Sequence, residues 1–194
     1  MVGKRGVEMS RILSILFNTE MVRAILDGRK AETRRVIKPQ PLFYTGRKYI
    51  FDDNEVPKKW EDCSNIIETY RYQPGDILYV RETWCRGSLD NQEEQYYYKA
   101  DTNDFYCRWC PSIHMPRAAA RIWLDVKDAR IERLQDIDDD GVLAEGLQIG
   151  DPFDELWDST IKKVERGEFG WDANPWVWVI KFERCGRPHG FLRD

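Results

Sequence analysis

The sequence lacks any long apolar run. None of its 194 residues belong to a stretch of about 18 consecutive apolar residues, the length that a membrane-spanning helix requires. The first residues also lack the charged and then apolar pattern of a secretory leader. We therefore expect a cytoplasmic protein with no membrane partner, whose five cysteines remain reduced.

An excess of positive charge is also missing. The chain has 30 lysines and arginines against 34 aspartates and glutamates, and its formal net charge is -4. Generic adhesion to nucleic acid is therefore excluded, and any polyanion must bind at a local cationic patch. Hydrophobic residues make up 42% and aromatic residues 13% of the sequence, so a sizeable core is expected, and the length suits one domain.

Paired clusters of metal ligands are absent from the sequence. Cys107 and Cys110 form one Cys-x-x-Cys pair with His114 shortly after it, and the fourth ligand would have to come from Cys85 or Cys63. Structural zinc sites usually show two such clusters. We therefore expect no metal and no cofactor.

Residues 17–38 contain the pattern that the rest of the chain is organised around. Asn18 and Thr19 offer capping oxygens for a short amphipathic helix, and Gly28 is typical of the position just after a helix end. A polar loop then carries Thr33 among five cations: Arg29, Lys30, Arg34, Arg35 and Lys38. Lys30 and Thr33 are three residues apart and would face one another if this loop is tightly wound. The alternative is a solvated face that complements the helix dipole.

The remaining apolar patterns predict an α+β fold. Strands are expected at residues 12–17, 49–51, 77–80, 96–98, 119–126 and 176–182, with residues 130–134 continuing a strand past a kink. Helices are expected at residues 138–145, stopped by Gly146, and at residues 153–167, ended by Gly167. Strands and helices do not alternate regularly, so we expect a small mixed or antiparallel β-barrel with helices packed outside, and the last strand at the centre of the sheet.

The order of five motifs resembles the ASCH-domain family, particularly its longer phage and prophage members. These motifs read GRKxxTRR, PGDILYVRETW, PSIHMPRAAARIWL, IxxxxxLAEG and NPWVWVIKFER. The resemblance runs from about residue 14 to residue 184 and implies a β-barrel related to the PUA RNA-binding domain. It implies one domain over residues 11–185 with insertions near residues 39–72 and 87–111, between a loose leader at 1–10 and a tail at 186–194.

The resemblance also implies a catalytic site. One branch of the family hydrolyses the acetyl amide of N4-acetylcytidine with a lysine, a threonine and a glutamate, which match Lys30, Thr33 and Glu145 here. A threonine hydroxyl needs a base beside it, and a lysine serves as one when burial or nearby cations lower its pKa. Glu145 would hold the lysine or carry a proton to the leaving amine. The alternative is an ordinary salt bridge between Lys30 and Glu145, with Thr33 packed as a strand residue.

Further residues are expected to bind a modified nucleoside or RNA around this site. Trp84 would stack on a base and Glu82 would accept from an amino group, whereas the alternative is a core tryptophan beside a surface ion pair. The expected ligand contacts are Arg29, Arg34, Arg35, Arg81, Glu82, Trp84, Tyr98, His114 and Arg117. Other branches of the family bind or cleave RNA, so a non-catalytic phage protein that binds RNA or a protein partner is the competing hypothesis.

Overall fold

The computed structural model describes residues 10–38, 40, 42–44, 47–51, 57–59, 71–88, 94–102 and 107–188. Nearly all of the expected leader, Cys63, His189 and most of the tail lie outside the described residues, as do large parts of the two expected insertions. Within the described residues, no helix has the length and apolar character needed to cross a membrane.

The described elements confirm the α+β class. The strands are β1 (Ile12–Leu16), β2 (Glu32–Val36), β3 (Leu42–Tyr44), β4 (Arg47–Phe51), β5 (Pro57–Lys59), β6 (Ile77–Arg81), β7 (Trp84–Gly87), β8 (Gln95–Tyr98), β9 (Trp123–Arg133) and β10 (Trp176–Cys185). The α-helices are α1 (Thr19–Leu26), α2 (Asp139–Ala144), α3 (Phe153–Thr160) and α4 (Arg166–Phe169).

The strands form one large sheet and two small ones. The large sheet has the order β1-β6-β9-β10-β2, β3-β4-β5 form a second sheet, and β7-β8 form a third. Strand β10 is an interior strand of the large sheet, but β9 occupies the central position that was expected for β10. Strands β1 and β2 are the two edge strands of the large sheet. Within the described residues, the strands therefore form no closed barrel.

The chain divides into two compact units. Unit 1 consists of Met1–Asp27, Pro74–Lys127 and Phe182–Asp194, and unit 2 consists of Gly28–Gln73 and Asp128–Lys181. Each unit is therefore built from segments that are far apart in the sequence.

Unit 1 is organised by the pairing of β1 and β6. The two strands are parallel, with Ile12 opposite Ile77, and β6 is antiparallel to the start of β9. The side chains of Leu78 and Leu124 are fully buried between these strands and their neighbours. Helix α1 begins as expected, because the Asn18 side chain accepts a hydrogen bond from the Met21 amide at 2.8 Å.

Unit 2 is organised by the pairing of β2 and the first part of β10. The strands are antiparallel, with Thr33 opposite Ile180. A core cluster packs against them and comprises Leu134, Phe153, Trp157, Val177 and Val179. Helix α2 is capped by the Asp138 side chain, which accepts from the Gly141 amide at 2.8 Å. Gly146 follows with φ +91°, which is the left-handed residue expected after a helix end.

Three sequence-based boundaries are wrong. Strand β9 runs without interruption from Trp123 to Arg133, where two segments with a kink were expected. Helix α3 ends at Thr160, because Ile161 adopts an extended conformation, and Gly167 lies inside the separate helix α4 instead of ending α3. For α3, the helical periodicity continued across a change of backbone direction, which periodicity alone does not detect.

The expectation of uniformly reduced cysteines is wrong for one pair. Cys85 and Cys107 form a disulfide in unit 1, with their Cα atoms 6.5 Å apart. Cys85 belongs to β7 and Cys107 follows β8, so the β7-β8 hairpin brings together two residues that the sequence separates by 22 positions. Cys110 and Cys185 are free thiols. The expectation rested on the compartment inferred from the absence of a leader, and that inference carries no information about pairing geometry.

Candidate functional site

The cationic segment after α1 is a strand, so the expected tightly wound loop is wrong. Lys30 forms an isolated antiparallel bridge with Glu145, and residues Glu32–Val36 continue as β2. Successive side chains of a strand alternate between its two faces. Glu32 and Arg34 therefore share one face of β2, and Thr33 lies on the other. Thr33 is buried, and its expected alternative role as a packed strand residue matches this position.

The bridge brings Lys30 and Glu145 together as a buried ion pair. The Lys30 ammonium donates to the Oε2 atom of Glu145 and, at 3.0 Å, to its backbone carbonyl. The exposed fractions of the two side chains are 0% and 4%. The geometry thus joins two of the three residues that the resemblance selected, across 115 positions of sequence.

Arg34 binds the same carboxylate from another direction. Its Nη1 atom lies 3.3 Å from Oε1 of Glu145, and its Nη2 atom lies 3.4 Å from Oε2 of Glu132. The side chain of Arg34 is only 2% exposed. Glu145 therefore accepts from Lys30 on one oxygen and from Arg34 on the other.

The ion pairs continue beyond Arg34 through residues that the sequence reading missed. Arg130 donates to Glu132, and its two amino groups each lie 3.1 Å from an oxygen of Glu32. Arg130 and Glu132 are two positions apart on β9, and Glu32 and Arg34 are two positions apart on β2. Opposite charges that repeat at a spacing of two are the signal that could have identified these partners.

Burial dominates the electrostatics of Lys30. Removal of the ammonium group from water lowers its pKa below the ordinary value. The Glu145 carboxylate acts in the opposite direction, and Arg35 and Arg34 lower the pKa further. The net direction is downward, so the amine of Lys30 loses its proton more readily than that of an exposed lysine.

The other two expected contacts in unit 2 are more accessible. Arg29 is exposed and donates to the backbone carbonyl of Gly146, just after α2. Arg35 is half-buried, and its charge reaches Lys30. These two arginines place positive charge near the buried pair.

The expected ligand residue Glu82 belongs to unit 1 and is bound by a residue that the sequence reading missed. Both carboxylate oxygens of Glu82 accept from Arg121, at 2.9 and 3.1 Å, and Glu82 is 1% exposed. Burial raises the pKa of Glu82, and Arg121 partly offsets this shift. Arg121 also donates to Asp101 at 2.7 Å.

Tyr98 and Trp84 are partners across the β7-β8 hairpin of unit 1. They are opposite one another in the register, and the guanidinium of Arg121 lies 3.9 Å from the centre of the Tyr98 ring. The Tyr98 hydroxyl donates to the Ala119 carbonyl at 2.7 Å, and burial raises the pKa of Tyr98 to about 12. The Nε1 atom of Trp84 is buried and has no hydrogen-bond partner among the residues that the structure describes.

The last three expected contacts lie in or beside one irregular segment of unit 1. Arg81 donates to the carbonyls of Met115, at 3.0 Å, and Ile113. His114 is exposed at the end of a short 3₁₀ helix. Arg117 lies over the rings of Tyr79 and Trp123. Arg81 therefore fixes the backbone of the segment that contains His114.

Two other features bear on ligands. The Cys107 sulfur is bonded to Cys85, so Cys107 does not provide a thiolate ligand. The described part of the chain contains no group of three or more potential metal-ligating side chains.

A cavity of about 460 Å³ lies in unit 2 at a place that no sequence motif indicated. Its lining residues are Asp158, Arg166, Gly167, Gly170, Trp171, Asp172 and Ala173.

Comparisons with known proteins give little further information. No family model matches the chain, and no curated protein is significantly similar to it. Among solved structures, the chain is similar to the crystal structure of protein EF3133 from Enterococcus faecalis V583, which is described with the family model DUF984. The two are 7% identical, the match covers 97% of this chain and 88% of that chain, and the TM-score is 0.46. A likeness at this level carries no argument about function.

Proposed function

We propose that the protein is a PUA-like ASCH-domain protein that binds a nucleoside or RNA at Lys30 and Glu145 and hydrolyses an N4-acylated cytidine there. The observation that carries the proposal is the buried pair of Lys30 and Glu145, in which burial lowers the pKa of the amine. A lysine whose pKa is lowered, held next to a fixed carboxylate, can exchange a proton with a bound substrate.

The reaction needs one proton acceptor and one proton donor. An oxygen nucleophile adds to the acyl carbon and gives its proton to the amine of Lys30, which acts as the base in its deprotonated form. The C–N bond of the amide then breaks, and the N4 nitrogen of cytidine takes the proton back as the free amine leaves. Glu145 keeps the Lys30 side chain in position through both steps, since it binds the Nζ atom by its side chain and its backbone carbonyl.

The attacking oxygen is the point on which the resemblance and the geometry differ. The resemblance assigns it to the hydroxyl of Thr33, which would form an acyl-enzyme intermediate that water later hydrolyses. The alternation of β2 places Thr33 on the face opposite Arg34, and this favours a water molecule activated by Lys30 as the second candidate.

The test is a deacylation assay on N4-acetylcytidine, followed by absorbance and by acetate release. We expect activity in the wild type and a loss of at least about 100-fold in Lys30→Arg, because a guanidinium does not act as a base near neutral pH. Arg166→Gln, which removes an exposed arginine of unit 2, is the matched control and should keep the wild-type rate. A folded wild type that releases no acetate from any N4-acylated cytosine compound would rule out the hydrolase.

Variants of Thr33 identify the attacking oxygen. If Thr33 attacks, Thr33→Ala is inactive and Thr33→Ser keeps part of the rate. If water attacks, Thr33→Ala keeps most of the rate, and no acyl-enzyme is found by mass spectrometry.

A second candidate function is RNA binding without catalysis, and the aromatic pair of unit 1 favours it. Trp84 and Tyr98 are cross-strand partners, both are partly exposed, and Arg121 lies over the Tyr98 ring. Aromatic side chains on a strand surface stack unpaired bases, and each stacked base contributes roughly 1–3 kcal/mol. Trp84→Ala should therefore weaken binding of a short single-stranded RNA about 5- to 150-fold in a fluorescence titration. Equal affinity in the wild type and the variant would exclude this surface.

A further inference from the structure

Six charged side chains of unit 2 form a chain in which the sign of the charge alternates. In order of contact they are Lys30, Glu145, Arg34, Glu132, Arg130 and Glu32. Arg34 occupies the middle of this charge chain, because it joins the carboxylate of Glu145 to that of Glu132. Any change at Arg34 therefore reaches Lys30 through one shared carboxylate.

Helix α2 leaves room for the guanidinium of Arg34. A Cβ atom at Gly141 would lie 2.9 Å from the Nη2 atom of Arg34 and 2.9 Å from the Cγ1 atom of Ile137. Real Cβ atoms essentially never approach so closely, so a side chain at position 141 would displace its neighbours. Glycine is unfavourable within a helix relative to alanine, and its presence here coincides with the space that Arg34 occupies.

Arg34 is poorly placed to contact a ligand directly. Its side chain is 2% exposed, and both of its amino groups bind carboxylates. A guanidinium can span two carboxylates with a fixed geometry, which the single ammonium of a lysine cannot reproduce. Both amino groups of Arg34 are therefore engaged in contacts within the protein.

We propose that Arg34 is a positioning residue that orients the carboxylate of Glu145 toward Lys30. The catalytic importance of this role rests on the proposed function, in which Lys30 is the proton acceptor. By holding Oε1, Arg34 directs Oε2 toward the Lys30 ammonium. Gly141 permits this arrangement because it has no Cβ atom to collide with the guanidinium of Arg34.

The charge of Arg34 has a second effect on Lys30. Charged groups among the described residues act on the Lys30 amine in both directions: Glu145 raises its pKa, while Arg35 and Arg34 lower it. The more distant members of the charge chain, Glu132, Arg130 and Glu32, follow Arg34 in the order of contacts. Removal of the charge at Arg34 would leave the effect of Glu145 less opposed, so the pKa of Lys30 should rise.

The test is a titration of Lys30 by nuclear magnetic resonance of the side-chain Nζ and Cε atoms, with the signal assigned from its loss in Lys30→Met. In Arg34→Gln, the midpoint for Lys30 should move upward by about one pH unit, which is the ordinary effect of one nearby charge. In Arg34→Lys, the midpoint should stay near that of the wild type, because the charge remains, while deacylation falls at least about 10-fold through loss of the two-carboxylate geometry.

Gly141→Ala gives an independent route to the same result. Displacement of Arg34 by the new methyl group should move the Lys30 midpoint in the same direction as Arg34→Gln. Arg166→Gln is the control for loss of an arginine elsewhere in unit 2, and it should leave the midpoint unchanged. Circular dichroism would establish that each variant is folded.

The titration separates this inference from the proposed function. An unchanged Lys30 midpoint in folded Arg34→Gln, or in folded Gly141→Ala if the first variant does not fold, overturns the positioning role whether or not the enzyme is active. A shifted midpoint in a protein that deacylates no substrate supports the positioning role and rejects the hydrolase.

Discussion

Arg121 donates a hydrogen bond to each oxygen of the Glu82 carboxylate, and it also donates to Asp101. The distances are 2.9 and 3.1 Å, and Glu82 is 1% exposed while the Arg121 side chain is 26% exposed. A carboxylate so deeply buried is stable as an anion only when its charge is compensated.

Arg121→Ala should therefore destabilise the protein by about 3 kcal/mol, because it leaves Glu82 buried and uncompensated. The loss should fall to less than half in a Glu82→Gln background, where no buried charge remains. Urea denaturation of the wild type, the two single variants and the double variant measures the coupling as a double-mutant cycle. Equal losses in both backgrounds would mean that Arg121 contributes through its contacts with Asp101 and the Tyr98 ring instead.

The free energy of unfolding should depend on pH in part through the titration of Lys30. Burial lowers the pKa of Lys30 in the folded protein, so the unfolded state binds more protons in the range between the folded and unfolded pKa values. The free energy of unfolding should rise with pH through this range, relative to Lys30→Met, and should become independent of the Lys30 titration below the folded pKa. Parallel curves for the two proteins, measured by urea denaturation from pH 7 upward, would contradict the lowered pKa.

Two helical glycines should respond in opposite ways to alanine. Gly167→Ala should stabilise the protein by about 0.5 kcal/mol, because a Cβ atom there meets nothing within 4 Å and alanine favours helix. Gly141→Ala should destabilise it by about 1–3 kcal/mol, because the new atom meets Arg34 and Ile137 at 2.9 Å. Thermal unfolding of both variants is the measurement, and stabilisation by both would show that Arg34 moves aside freely.

Reduction of the Cys85–Cys107 disulfide should lower stability by about 3 kcal/mol, the value that chain entropy gives for a loop of this size. Thermal unfolding with and without a reductant measures the loss, and peptide mapping under non-reducing conditions identifies the pair. Cys85→Ser should show the loss without a reductant, while Cys185→Ser, which removes a free thiol, should behave as the wild type. A protein whose mapping finds Cys85 reduced would contradict the pairing.

Local signals in the sequence were sufficient for several elements. The side chain of Asn18 caps α1, and Gly28 follows it with φ +75°, because capping and left-handed residues depend on a few neighbouring positions. The apolar run of β10 likewise predicted a strand inside the sheet.

The features that the sequence did not predict depend on distant residues. The cationic segment became β2 because it pairs with β10, more than 140 positions away, and no local propensity of Thr33 or Arg34 reveals that partner. Arg121 and Glu132 were not predicted for the same reason, since their partners, Glu82 and Arg34, are distant in the sequence. The Lys30–Glu145 pair was found only through the resemblance, which supplied a spatial relation that spacing alone does not contain.

The discontinuous composition of the two units has a consequence for how the protein can be made. Unit 2 has all of its residues only when Lys181 has been synthesised. Unit 1 has all of its residues only when the segment from Phe182 onward is present. Strand β10 supplies residues to both. During translation, neither unit is complete until the ribosome has passed this last strand, so a gene cut anywhere upstream of it encodes no whole unit.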